Sequence, residues 1–131
     1  MNSKIDFSDC KNEQQFKMKY IKTILQPQCD EVFCIETEET VKGFPDVMCL
    51  MGREEACPVA FFYEFKFSNA QGKIKFQPSQ PAFYKAHNSN MKIMVVAYNR
   101  RTNSVSEFTA SCLFNKNSPY HLNEKAEVNL L

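Results

Sequence analysis

The sequence predicts an α/β domain, a mixed central β-sheet flanked by helices, on three observations. From about Lys11 to Leu25 the apolar residues Phe16, Tyr20, Ile21, Ile24 and Leu25 recur at helical spacing. From Val47 to Tyr63 an apolar run, a polar break and a second apolar run read as strand, turn, strand. From Pro78 to about Asn88 a second helical stretch leads straight into Met91–Tyr98, the most apolar run of the chain and the expected central strand of the sheet.

Each element has its own local justification. Ser8 or Asp9 is expected to cap the first helix and Pro27 to end it, since a proline in a helix interior lacks an N–H and collides with the preceding turn. Glu31 to Thr37 follows as a first strand. Gly43 and Pro45 suit a turn and an extended entry into the next strand. After Lys66 comes the turn Phe67-Ser68-Asn69-Ala70-Gln71-Gly72, then the alternating segment Lys73-Ile74-Lys75-Phe76. Pro78-Ser79 starts the second helix. Arg100 to Asn103 is a turn and Val105 to Leu113 a further strand, while the polar tail from Asn115 to Leu131 carries no clear periodic signal.

At 131 residues the chain is expected to be one domain, 1–131, able to bury about two thirds of its unfolded surface without staples. The formal charge of +1 excludes the strong basic excess of a protein coated along its whole surface by nucleic acid, so phosphate contacts have to come from local clusters. Lys66, Lys73, Lys75, Lys85, Lys92, Arg100 and Arg101 are the candidates, against the plain alternative of solvated surface charge. The six cysteines contain no Cys-x-x-Cys pair and the two histidines, His87 and His121, stand far apart, which argues against zinc and for reduced thiols. Met1 to Asp6 lacks an apolar signal core and no run reaches membrane-spanning length, so the expected setting is cytoplasmic, not secreted, with no membrane partner.

The chemistry concentrates in Gly43-Phe44-Pro45-Asp46 and, eighteen residues after the Asp, Glu64-Phe65-Lys66. The intervening hairpin pattern places Asp46 and Glu64 on neighbouring strands. Residues two apart in a strand share a face at about 6.5 Å, so Glu64 and Lys66 point together while Tyr63 and Phe65 point away. Two carboxylates suit a hard cation such as Mg2+ that keeps waters and takes substrate phosphate as a further ligand. A lysine beside them can orient or deprotonate an attacking water or neutralise phosphate charge.

This pattern resembles the PD-(D/E)xK nuclease superfamily, and more closely its virus-type replication-repair nuclease (VRR-NUC) branch. The landmarks run in order over about residues 12 to 98: Glu13 on the first helix, Gly43-Phe44-Pro45-Asp46, Glu64-Phe65-Lys66, Gly72-Lys73-Ile74-Lys75, then Pro78-Ser79-Gln80 leading to Phe83-Tyr84, and the strand Met91–Tyr98. The resemblance implies a restriction-endonuclease-like core. It also implies metal binding by Glu13, Asp46 and Glu64, a catalytic Lys66 and a supporting Gln80, with Mg2+ or Mn2+ as cofactor. Gly72 to Gln80 is longer than the family's usual spacing, which keeps Gln77 as an alternative to Gln80. Glu36, Glu38 and Glu39 are alternatives to Glu13 as the first acid, with a helix-dipole role the bland explanation of Glu13.

The expected function is hydrolysis of phosphodiester bonds in DNA, branched or structured DNA by the family's habit, through metal-activated water. Lys73, Lys75 and Lys85 are the expected nucleic-acid contacts. The resemblance also implies a homodimer and a viral or prophage origin, with the host nucleus as the setting for a eukaryotic virus. RNA, single-strand and nicking activities stay open. The alternatives are a catalytically silent relative that binds nucleic acid and a protein-interaction module in which the same three charges form an ion network.

Overall fold

A five-stranded sheet in the order β1-β2-β3-β5-β6 organises the computed structural model, which describes residues 5–35, 42–52 and 59–131. Its strands are β1 (Glu31–Cys34), β2 (Val47–Met51), β3 (Val59–Phe67), β5 (Lys92–Asn99) and β6 (Ser104–Thr109). β3 pairs antiparallel with β2 and parallel with β5, and β1 and β6 add antiparallel at the edges, so the sheet is mixed as expected. The middle strand is β3, which carries Glu64 and Lys66, with β5 beside it in the interior. Glu36, Glu38 and Glu39 lie outside the described residues, as do the expected end of the first strand at Thr37 and the hairpin residues 53–55.

The opening helix differs from expectation at both ends. Residues 8–9 form a turn closed by the Cys10 N–H on the Phe7 carbonyl, and the cap is Asn12, whose side chain accepts the Gln15 N–H. The α-helix α1 (Glu13–Tyr20) widens into a π-turn over Ile21–Leu25 and continues as α2 (Gln26–Gln28), so the helix runs through Pro27. In the wider turn the Gln26 N–H reaches back to the Ile21 carbonyl, and the looser winding makes room for a ring that would collide with the Thr23 carbonyl in a regular helix.

The second helix, α3 (Ser79–His87), lies where the sequence puts it. The last expected strand is shorter: β6 stops at Thr109 and residues Ala110–Phe114 form a 3₁₀ turn. Ala110 and Leu113, three apart, are both buried, and Thr109 turns its hydroxyl to Ser111, a local bond that competes with the ladder. The tail supplies β7 (Glu127–Asn129), antiparallel to β4 (Lys73–Lys75) in a separate two-stranded sheet.

The pleat sorts the core into two halves. Phe65, Val47, Cys49 and Val96 face the opening helix and pack with Phe7, Phe16, Tyr20 and Leu25. The opposite face, toward α3 and the β4–β7 pair, gathers Ile74, Phe76, Tyr84, Val95, Ala97, Leu113 and Val128. Glu64 and Lys66 point into this second half. Among the described residues no disulfide forms, no buried side-chain polar atom lacks a partner, and no helix is long and apolar enough to cross a membrane.

Candidate active site

Asp46 sits one residue before β2, opposite Glu64 in the register that pairs Val47 with Tyr63. Its carboxylate accepts the Phe65 N–H at 3.3 Å, which ties the turn to the middle of β3. The turn itself is held by Gly43, whose φ of +85° favours glycine and whose missing Cβ would lie 2.1 Å from the Ser79 carbonyl oxygen. The Gly43 turn thus packs directly on the start of α3, and Phe44 adds edge-on ring contacts with Phe62 and Phe83. Sequence suggested a permissive turn glycine, but the close approach to α3 becomes visible only in three dimensions.

Glu64 is 2% exposed, and its carboxyl lies within hydrogen-bonding reach of Asp46. Burial first, and the neighbouring Asp46 charge second, push the Glu64 carboxyl well above its ordinary value, while Lys66 and the Tyr84 hydroxyl pull the other way. Tyr84 donates to Glu64 Oε1 at 3.1 Å. Lys66, 8% exposed, donates from Nζ to Gln80 Oε1 at 2.9 Å, and its ammonium stands 4.7 Å from the centre of the Phe76 ring. Gln80 Oε1 also accepts the Gln77 N–H at 2.9 Å, so Gln77 fixes Gln80 through its backbone and the side chain that meets Lys66 is Gln80.

Glu13 opens α1 on the other side of β3. The residue is exposed as a whole, yet its carboxyl is crowded at the strand end, accepts the Phe67 N–H and interacts with Lys66 and Asp46. Burial raises its carboxyl above the ordinary value and the Lys66 charge opposes that most strongly. Among the described residues no three His, Cys, Asp or Glu side chains converge into a ready-made ligand cage. The fit to a divalent cation rests on Asp46 and Glu64. They are neighbouring hard oxygen donors, Glu64 buried and Asp46 half-buried, in the number Mg2+ commonly takes from protein when phosphate and waters complete its shell.

The other expected contacts are more dispersed. Lys73 and Lys75 are exposed on β4 on either side of the buried Ile74, and the chain reaches Phe76, beneath the Lys66 ammonium, one residue later. Lys85 is exposed on α3 with its ammonium 5.9 Å from the Phe114 ring, toward the 3₁₀ turn. Two participants were not singled out by sequence as site residues, Tyr84 and Phe76. Tyr84 carried a usable signal, since it stands four residues after Gln80 and so on the same helix face.

Fold and site define an α/β domain with an acid–acid–lysine cluster, Glu64 and Lys66 buried on the middle strand of a mixed sheet and half-buried Asp46 beside them before β2, buttressed by one helix through Gln80 and Tyr84. No protein-family model and no curated protein matches the chain. Among solved structures it is similar to D212, a nuclease from a fusselovirus, with a TM-score of 0.43 and 12% identity over 79% of this chain and 64% of that one. The chain therefore spans less than two thirds of that nuclease, and likeness of this degree leaves the function to be argued from the site's own residues.

Proposed function

We propose that the protein is a metal-dependent nuclease of the PD-(D/E)xK type, nearest the VRR-NUC branch, that hydrolyses phosphodiester bonds of DNA. The observation that carries the reading is the convergence of Asp46, Glu64 and Lys66 on one face, with Gln80 bonded to the lysine. Asp46 and Glu64 would hold Mg2+ or Mn2+, with Glu13 as the third acid from the helix side. A bound cation would supply Lewis acidity toward the phosphate and a more acidic water.

The chain's own residues do the positioning. Tyr84 fixes the rotamer of Glu64, and the Phe65 N–H fixes Asp46, so both oxygens are set before substrate arrives. Lys66, held between Gln80 and the Phe76 ring, presents a donor to the attacking water or to the non-bridging phosphate oxygens where charge grows. Lys73 and Lys75 extend from the same side of the fold to carry the strand backbone. Branched or structured DNA, a homodimer, and a cytoplasmic setting or the nucleus of a host cell complete the reading by the family resemblance.

The test is cleavage of labelled single-stranded, duplex, flapped and four-way DNA, with an RNA strand alongside, in Mg2+, Mn2+ or EDTA. Metal-dependent cleavage that Lys66→Ala lowers by about 10²- to 10⁴-fold is the expected result. Binding without cleavage, by a folded protein in every metal, would overturn the enzyme in favour of a silent nucleic-acid-binding relative.

A further inference from the structure

On the opening-helix face of the sheet, opposite the face into which Glu64 and Lys66 point, a depression of about 400 Å³ lies at the carboxyl end of the parallel strands, lined by Ser8, Cys10, Lys11, Tyr98, Arg100 and Asn103. Two of its six lining residues are cations and none is an acid. Of the acids nearest in sequence, Asp9 is paired with the Lys19 ammonium at 2.9 Å, Asp6 accepts the N–H and hydroxyl of Ser8 and the side-chain amide of Asn103, and Glu13 accepts the Phe67 N–H. Lys11 and Arg100 make no ion pair with a described residue, and both are exposed.

Arg100 is held in place by its neighbours. Its N–H donates to the Ser68 hydroxyl at 2.8 Å, and its guanidinium lies 5.6 Å from the Phe67 ring, which stacks on Tyr98. Phe67 directly follows Lys66, and its N–H is bonded by Glu13, so the depression adjoins the helix side of the catalytic cluster. Lys66 is opposite Ala97 in the parallel ladder, three residues before Arg100. At strand spacing that separation is about 10 Å.

We infer that Lys11 and Arg100 form a second phosphate-binding subsite, which takes the backbone of the nucleic-acid strand to one side of the bond being cut. The inference rests on the proposed nuclease function. Arg100 offers a planar fork for two phosphate oxygens and Lys11 a point charge at the same wall. The subsite gives the strand a fixed direction across the cluster, because cations of this kind position the backbone and carry no sequence information.

The test is polarisation binding of labelled DNA and RNA single strands in EDTA over a salt series, comparing wild type, Lys11→Gln with Arg100→Gln, and a charge-matched control, Lys22→Gln with Lys116→Gln. Glutamine keeps side-chain bulk over Phe67, and a thermal melt checks the fold. Loss of two phosphate contacts should flatten the slope of log Kd against log salt by about 1.4 and weaken binding about tenfold or more at moderate salt, beyond the control. The cleavage defect should fall on KM and be overcome by more substrate. A pair of variants indistinguishable from the control in slope and Kd, while wild type still cuts, overturns the subsite and leaves the nuclease standing. A wild type that neither binds nor cuts any strand overturns both.

Discussion

Asp46→Asn should stabilise the metal-free protein while abolishing cleavage. In the native state Glu64 is buried against Asp46 and its carboxyl is held well above the ordinary 4.5. Folding therefore favours protonated Glu64. That contribution is fully present below about 4.5, the unfolded value, and is lost as pH rises through the raised folded value. Two carboxylates about 4 Å apart repel by about 4 kcal/mol at an effective dielectric of 20. Asp46 is only half-buried, so screening reduces this to about 1–3 kcal/mol. Asparagine removes the repulsion, keeps an oxygen for the Phe65 N–H, and offers Glu64 an amide donor. A chain of this size gains about 3–6 °C per kcal/mol, so at pH 8 in EDTA the variant should melt at least about 3 °C above wild type. The gap should close toward pH 5, and adding magnesium should raise the wild-type melt alone. A variant that melts no higher than wild type at pH 8 would refute the argument that crowded acids strain the ligand-free site.

Two further substitutions test the frame around the site. Gly43→Ala places a methyl 2.1 Å from the Ser79 carbonyl at a φ of +85°, and should cost about 2–4 kcal/mol by urea denaturation, with cleavage falling as Asp46 and Gln80 move apart. Val128→Ala opens a cavity beside Ile74 in a position with no exposure, and should cost about 2–3 kcal/mol, seen as a lower urea midpoint at unchanged slope; an unaffected midpoint would show that the β4–β7 pair adds nothing to the core.

The centre of the fold was legible because its signals are local and periodic. The strand alternation of Tyr63 to Lys66 put Glu64 and Lys66 on one face, and the turn before Val47 put Asp46 opposite, as the register shows. Gln80 shares a helical stripe with Phe83 and Tyr84, and its bond to Lys66 follows from that stripe facing β3. What stayed hidden depends on distant partners or weak local competition. Pro27 reads as a helix stop, yet a π-turn absorbs it. Asn12 caps the helix although Ser8 and Asp9 offer the same chemistry earlier, because those residues are taken up in a turn. Thr109 to Leu113 has strand-like composition, and only burial of Ala110 and Leu113 three apart reveals the tighter winding. The tail has no periodicity of its own since β7 is three residues long and takes its order from β4.

That late pairing bears on how the protein is made. β4 follows β3 closely, but its partner is synthesised roughly 50 residues later, a long-range contact of the kind that slows folding. Phe76, the ring under the Lys66 ammonium, has its N–H bonded to the Ala126 carbonyl, and Gly72 is bonded to the Leu130 N–H. A nascent chain that has reached only β6 already carries Asp46, Glu64, Lys66 and Gln80, yet lacks the segment that seats the lysine's aromatic support. The packing around Lys66 is therefore completed only by residues 126–130, so the partly made chain passes through translation with its acid–lysine cluster unfinished.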